Sequence, residues 1–189
     1  MRALVFIICL LACAPSLRAE RYLTLAEVQS LCFPEADRFE EQVLRFSGAD
    51  VLRIERQSGV RVANEGNRVF YAYQGAELAG VIFIDHVLGK HEIIDYAVAI
   101  TPGGKVNQVE IMEYRESYGG EIRAPKWRKQ FKGKSARSSL RLHGDIYNIS
   151  GATMSCRNMT DGIKRVLATF DLLCRPQLAA GLSRASAGQ

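Results

Sequence analysis

The 189-residue chain lacks a run of about 18 apolar residues, the length a membrane-spanning helix needs. It has no Cys-x-x-Cys-His, so haem attachment is unsupported, and its cysteine spacings do not suit a zinc site. It has no internal repeat and no low-complexity linker, which leaves one domain as the reading of its length. Histidine is scarce, with three in all. His86 and His91 lie close together, but no third ligand stands nearby, so with Asp85 and Glu92 they read as polar residues at a turn. The net charge of +5 is too mild to argue for nucleic acid. One absence is local: no acid occurs from 122 to 144. The same span holds Arg123, Lys126, Arg128, Lys129, Lys132, Lys134, Arg137 and Arg141. It reads as a solvated face, or as a basic rim for a phosphate ligand, an acidic partner or an anionic membrane surface.

What is present begins with Arg2 and an apolar run over 3–12, the pattern of a secretory signal. Cleavage after Ala19 would remove Arg2 and Arg18 and lower the net charge to +3. Leu10-Leu11-Ala12-Cys13 also resembles a lipobox, which would leave a lipid on Cys13 and tether the domain to a membrane. Either route places the domain in the periplasm or on the outer face of a bacterial membrane. Cys32, Cys156 and Cys174 follow the signal. An oxidising compartment permits a Cys32–Cys174 disulfide, the alternative being three small buried hydrophobes.

Charged residues at 24% against 48% apolar indicate a folded domain with a core. Residues 23–31 read as a helix with Thr24 as N-cap and Glu27 at capping-box spacing. Residues 38–46 fit a strand or a helix, with Phe39, Val43 and Phe46 favouring the strand; Gly48 reads as punctuation, and 49–57 as a helix closed by Gly59. Strands follow at 68–73, 77–86, 91–100 and 106–114, the first pair joined at Gly75 and the second through Pro102-Gly103-Gly104. The apolar runs 81–84 and 97–100 indicate central strands buried on both faces. The fold class is α+β, an antiparallel sheet with packed helices. Residues 20–66 read as a cover, 67–175 as the functional domain, and 176–189 as a flexible tail.

Two stretches carry chemistry. Glu116-Ser117-Tyr118-Gly119-Gly120-Glu121 leaves a strand through paired glycines, which permit a sharp turn or close approach to a ligand. Ser150-Gly151-Ala152-Thr153 then feeds a helix with Met159, Ile163, Val166, Leu167, Phe170 and Leu173 on one face. A small-residue loop at a helix start is a phosphate seat, because the first N–H groups are unpaired and partly positive. Ser150, Thr153 and Ser155 add three hydroxyls. The plainer alternative is an ordinary cap made by Ser155 or Asn158.

Together with Trp127-x-x-Gln130-Phe131-x-Gly133-Lys134, a short helix between them, these stretches resemble the FMN-binding domain. That domain occurs in components of the sodium-translocating NADH:quinone reductase and of the Rnf complex, and in small exported flavoproteins. The resemblance covers roughly 68–173. It implies FMN joined through its phosphate to Thr153 by a separate flavin transferase that uses FAD, with Ser155 the other hydroxyl in reach. It places Ser150, Gly151 and Ala152 at the phosphate, and Glu116, Gly119 and Gly120 near the ring; independently of the family, Tyr118 is expected to stack on that ring. It implies an electron carrier and not an enzyme with its own substrate, exchanging electrons with a membrane redox protein. Non-covalent binding of FMN or another phosphate ligand, and a cofactor-free interaction protein, are the alternatives. Two departures are visible: Tyr147 stands where the family usually has aspartate, and the turn replaces Glu-Thr-Pro-Gly-Leu-Gly.

Overall fold

The computed structural model describes residues 20–63, 65–116 and 119–179. The expected signal and lipobox lie outside them. Six antiparallel strands form one sheet: β1 (Glu20–Arg21), β2 (Arg38–Arg45), β3 (Gly66–Gln74), β4 (Glu77–Leu88), β5 (Ile93–Ile100) and β6 (Val106–Tyr114). Their spatial order is β1-β6-β5-β4-β3-β2, so β4 and β5 are central. The α+β class and the buried central strands are as expected from the sequence.

Alternation divides the core. Val69, Tyr71, Val81, Phe83, Val98 and Ile100 face one way, against α4 (Thr153–Thr169), Trp127 and Phe131. Phe70, Ala72, Ile82, Ala97 and Ala99 face the other way, against α1 (Leu25–Cys32) and Phe33. This two-residue period explains why 81–84 and 97–100 are continuously apolar: each side chain meets a core, whichever way it points. Fully burying a large aliphatic or aromatic side chain is worth about 1.5–3 kcal/mol, so both layers contribute to holding the sheet. Helix α2 (Gly48–Ser58) packs on α4. Among the described residues, no helix is long and apolar enough to cross a membrane.

Local chemistry sets the ends of the elements. Thr24 and Glu27 make the expected capping box on α1, and Ser47 with Asp50 makes a second on α2. Gly48 therefore opens α2 instead of breaking the chain before it. Gly59 closes α2 at φ +69°, in the left-handed region where glycine meets no steric penalty.

Three expectations are corrected. Cys32, Cys156 and Cys174 are all free and buried. Cys32 belongs to the α1 layer and Cys174 to the α4 layer, so the sheet separates the expected disulfide partners. Asp85 is not at a turn, because β4 continues to Leu88, and its side chain is fully buried. Leu173 is only partly buried and Cys174 takes its place in the core. The cause is a π-helical turn over Phe170–Cys174, whose wider spacing moves the buried stripe on by one residue. Beyond it the chain stays helical to Ala179, and the rest of the expected tail lies outside the described residues.

Candidate functional site

The first turn of α4 is built differently from those of α1 and α2. Its N-cap is Ala152 at φ −118° and ψ 24°, with no side-chain cap. Ala152 N donates to Ile149 O at 3.0 Å, closing the turn that carries Ser150 and Gly151. Gly151 sits at φ +85°, and the space a Cβ would occupy there is open. Neither Ser155 nor Asn158 is a cap: both lie inside the helix, and Asn158 Nδ2 donates to Leu88 O at 2.6 Å. The alternative of a self-capped helix is thereby removed. The uncapped start leaves N–H groups that favour an anion.

The hydroxyls differ in access. Thr153, the first helical residue, is partly exposed, and its Oγ1 accepts from Asn148 Nδ2 at 2.9 Å. Ser155 is 3% exposed and hydrogen-bonds the Tyr114 phenol. Ser150 is exposed on the turn. Burial is the main cause that raises the Tyr114 pKa, and Arg123 lies over both the Tyr114 and Tyr22 rings.

A cleft of about 420 Å³ opens in front of this turn. Ser150, Gly151, Ala152, Thr153, Met154 and Ser155 form one wall, and Glu116, Gly119, Glu121, Lys90 and His91 form the other. Gly119 is at φ +79°, and a Cβ on it would come within 3.0 Å of the Ala152 Cβ, so the two walls meet through a glycine. Gly120 lies just behind the lining, its carbonyl accepting from Arg123 Nε at 2.9 Å. Tyr118 lies outside the described residues. The structure thus brings Glu116 and Gly119 opposite the Ser-Gly-Ala-Thr turn.

Glu116 is fastened to the β4–β5 loop. Its Oε1 accepts from His91 N at 2.6 Å and Glu92 N at 3.1 Å. Burial alone would raise its pKa, but the backbone N–H groups of His91, Glu92 and Lys90 outweigh that and hold it below the usual value. A Cβ at Gly89 would lie 2.5 Å from Glu116 Oε1, so glycine there leaves room for the carboxylate. Nothing in the sequence placed Lys90, Glu121 or Met154 in a site, and His91 read only as a polar residue at a turn. The polar pair at 90–91 was visible, but nothing local says that it meets Glu116.

The intervening helix braces the turn. It consists of α3 (Pro125–Arg128) and a 3₁₀ turn (Lys129–Phe131). Trp127 and Phe131 are buried with ring centroids 5.1 Å apart. Trp127 Nε1 donates to Tyr147 O at 3.0 Å, and Gln130 Oε1 accepts from Tyr147 N at 2.9 Å. The spaced tryptophan and glutamine therefore clamp both backbone groups of one residue, three before Ser150. Asp145 secures the stretch upstream by accepting from Lys134 Nζ, Ser139 Oγ, Leu140 N and Arg141 N. Of the basic span, Arg128 pairs with Glu110 and Lys134 with Asp145, while Lys126, Lys129, Lys132, Arg137 and Arg141 are exposed.

Residues 89–168, which contain the turn, the brace and both cleft walls, match the family described as the FMN-binding domain. This segment belongs to that family. Among solved structures, this chain resembles Shewanella oneidensis NqrC. The TM-score is 0.54 at 19% identity, covering 78% of this chain and 86% of that one. The equivalent component of the Na(+)-translocating NADH-quinone reductase from Parabacteroides distasonis gives 0.51 at 14% identity, over 78% and 82% respectively. At such identities these likenesses concern the fold. No curated protein is a match.

The residues present suit FMN. The cleft lies within the usual ligand-pocket range of about 300–1,000 Å³. An uncapped helix start and an open glycine offer a place for the phosphate, and polar loops line the far wall. Among the described residues, no three His, Cys, Asp or Glu side chains group as a metal site.

Proposed function

We propose that this FMN-binding domain is an exported electron carrier, with FMN joined through a phosphoester to Thr153. The observation that carries the reading is the contrast between hydroxyls. Thr153 is partly exposed on the wall of the cleft, at a helix start that nothing caps, while Ser155 is buried and bonded. In this reading Gly151 leaves room for the phosphate and the first α4 amides offset its remaining charge. Ser150 and Ala152 complete the turn, and Glu116, Gly119 and Gly120 form the loop beside the ring. Glu116, bonded to the neighbouring amides, holds the two cleft loops together. Bound FMN supplies a group that takes up and releases electrons; the chain attaches, orients and tunes it. A flavin transferase would act once, and a membrane redox protein would exchange electrons. The apolar start of the chain supports export.

Co-expression with a flavin transferase, followed by intact mass measurement, tests this. The wild type should carry one FMN that survives denaturation. Thr153→Ala should carry none, with stability within about 0.5 kcal/mol of wild type because the site is not a core position. A Thr153→Ala chain that still gained FMN would move the acceptor elsewhere.

One observation favours a second reading, non-covalent FMN. Tyr147 stands where the resemblance leads one to expect aspartate, and the nearby Asp145 carboxylate is occupied by four internal donors. Flavin that washes away in denaturant would establish that reading. A colourless protein made alongside a transferase would support neither.

A further inference from the structure

We infer that Asn148 is a positioning residue for the Thr153 hydroxyl, which it holds ready for transfer of the flavin phosphate; this rests on the covalent reading. Asn148 Nδ2 reaches Thr153 Oγ1 at 2.9 Å, while its own Oδ1 is buried without a partner. A buried, unpaired acceptor is unusual in a folded protein and calls for an explanation. The residue is not free to drift. Trp127 and Gln130 clamp the carbonyl and amide of Tyr147 immediately before it, and the Ile149 carbonyl immediately after it receives Ala152 N.

The chemistry explains why an amide is placed there. Helical threonine tends to turn its hydroxyl back toward a carbonyl three or four residues earlier. Thr153 is the first residue of α4, so no helical carbonyl lies behind it, and the contact its oxygen makes is with Asn148 Nδ2 as donor. A hydroxyl has two lone pairs and one proton, so donation from Nδ2 uses one lone pair and leaves the other with the proton. Transfer from FAD joins Oγ1 to the phosphorus nearest riboflavin and breaks the pyrophosphate bond. AMP departs, and the hydroxyl proton passes to the transferase or solvent. The resulting ester oxygen can only accept, and Nδ2 is the end of the amide that suits it. The same donor therefore serves Oγ1 before and after transfer, and the unpaired Oδ1 is the cost of keeping Nδ2 aimed at it.

The test uses full-length apo-protein from cells lacking a flavin transferase, mixed with purified transferase and FAD, with covalent flavin followed by in-gel fluorescence. Asn148→Ala should lower kcat by about tenfold or more, the effect of losing a fixed attack geometry. KM for the apo-protein and the thermal midpoint should stay near wild type. Asn148→Asp, which keeps the size of the side chain but offers Oγ1 no donor when ionised, should be as slow as alanine. Wild-type kcat in either variant, or a change confined to KM, would overturn the inference. If the wild type itself gains no covalent flavin, the covalent reading fails, and the inference with it.

Discussion

Asp85 and Arg165 meet where β4 runs beneath α4, their side chains 0% and 8% exposed and 2.7 Å apart. Tyr96 donates its hydroxyl to the same carboxylate at 2.7 Å, and a Cβ on Gly162 would lie 2.2 Å from the Tyr96 oxygen. Glycine at 162 is thus what lets the helix descend onto this group. Burial first, then the Asp85 charge, pushes the Tyr96 pKa well up. Burial alone would lower that of Arg165, but facing Asp85 holds its charge. Removing one partner leaves an uncompensated buried charge, so Asp85→Ala should cost about 3–5 kcal/mol. The double change Asp85→Leu with Arg165→Met should cost far less, since two apolar side chains need no counter-charge. Urea unfolding of wild type, Asp85→Ala, Asp85→Leu, Arg165→Met and the double variant checks this. Additive losses would mean that the pair does not act as a unit.

At the scale of elements, α1 and α2 carry side-chain caps and α4 does not. Ser47 accepts from Asp50 N at 3.2 Å while Asp50 returns a bond to Ser47 N at 3.0 Å. Ser47→Ala should therefore cost about 1 kcal/mol in chemical denaturation. It should leave flavin content untouched, because α2 packs on α4 far along the chain from its first turn. A loss of flavin in that variant would contradict this separation. The capping boxes and strand alternation were readable because they depend on neighbours in sequence: Thr24 with Glu27, or Val81 to Phe83. The Ser-Gly-Ala-Thr turn was readable for the same reason. Asp85 was misplaced because its partner is Arg165, and Leu173 because a π turn leaves no periodic trace beforehand. His91 could not be joined to Glu116, nor Asn148's role assigned, since those contacts depend on which loops the sheet brings together. The Ser47 box was present in the sequence but obscured by the assumption that Gly48 breaks the chain.

For the molecule as a whole, the sheet divides two cores and gathers the cleft loops at one place. Cys32 and Cys174, on opposite sides, have thiols that burial pushes up to about 12 and about 11 respectively. They fill space and do not link the layers. The cleft depends instead on carboxylates that hold loops. Burial would raise the Asp145 pKa, but Lys134, Arg141 N and Ser139 hold it well below the ordinary range. Glu116 is likewise lowered by its backbone donors. A carboxyl depressed on folding stabilises the native state above its unfolded pKa, and that contribution disappears as pH falls through the folded value. At neutral pH Asp145→Asn should cost about 2 kcal/mol, the scale of hydrogen bonds to a charged group. The gap between variant and wild type should begin to shrink below about pH 4, where unfolded aspartate takes up its proton. It should go on closing as Asp145 itself titrates in the native protein. Thermal midpoints of the two proteins from pH 7 to pH 2 measure this directly. A gap that stays constant through that range would show that the four bonds to Asp145 owe nothing to its charge.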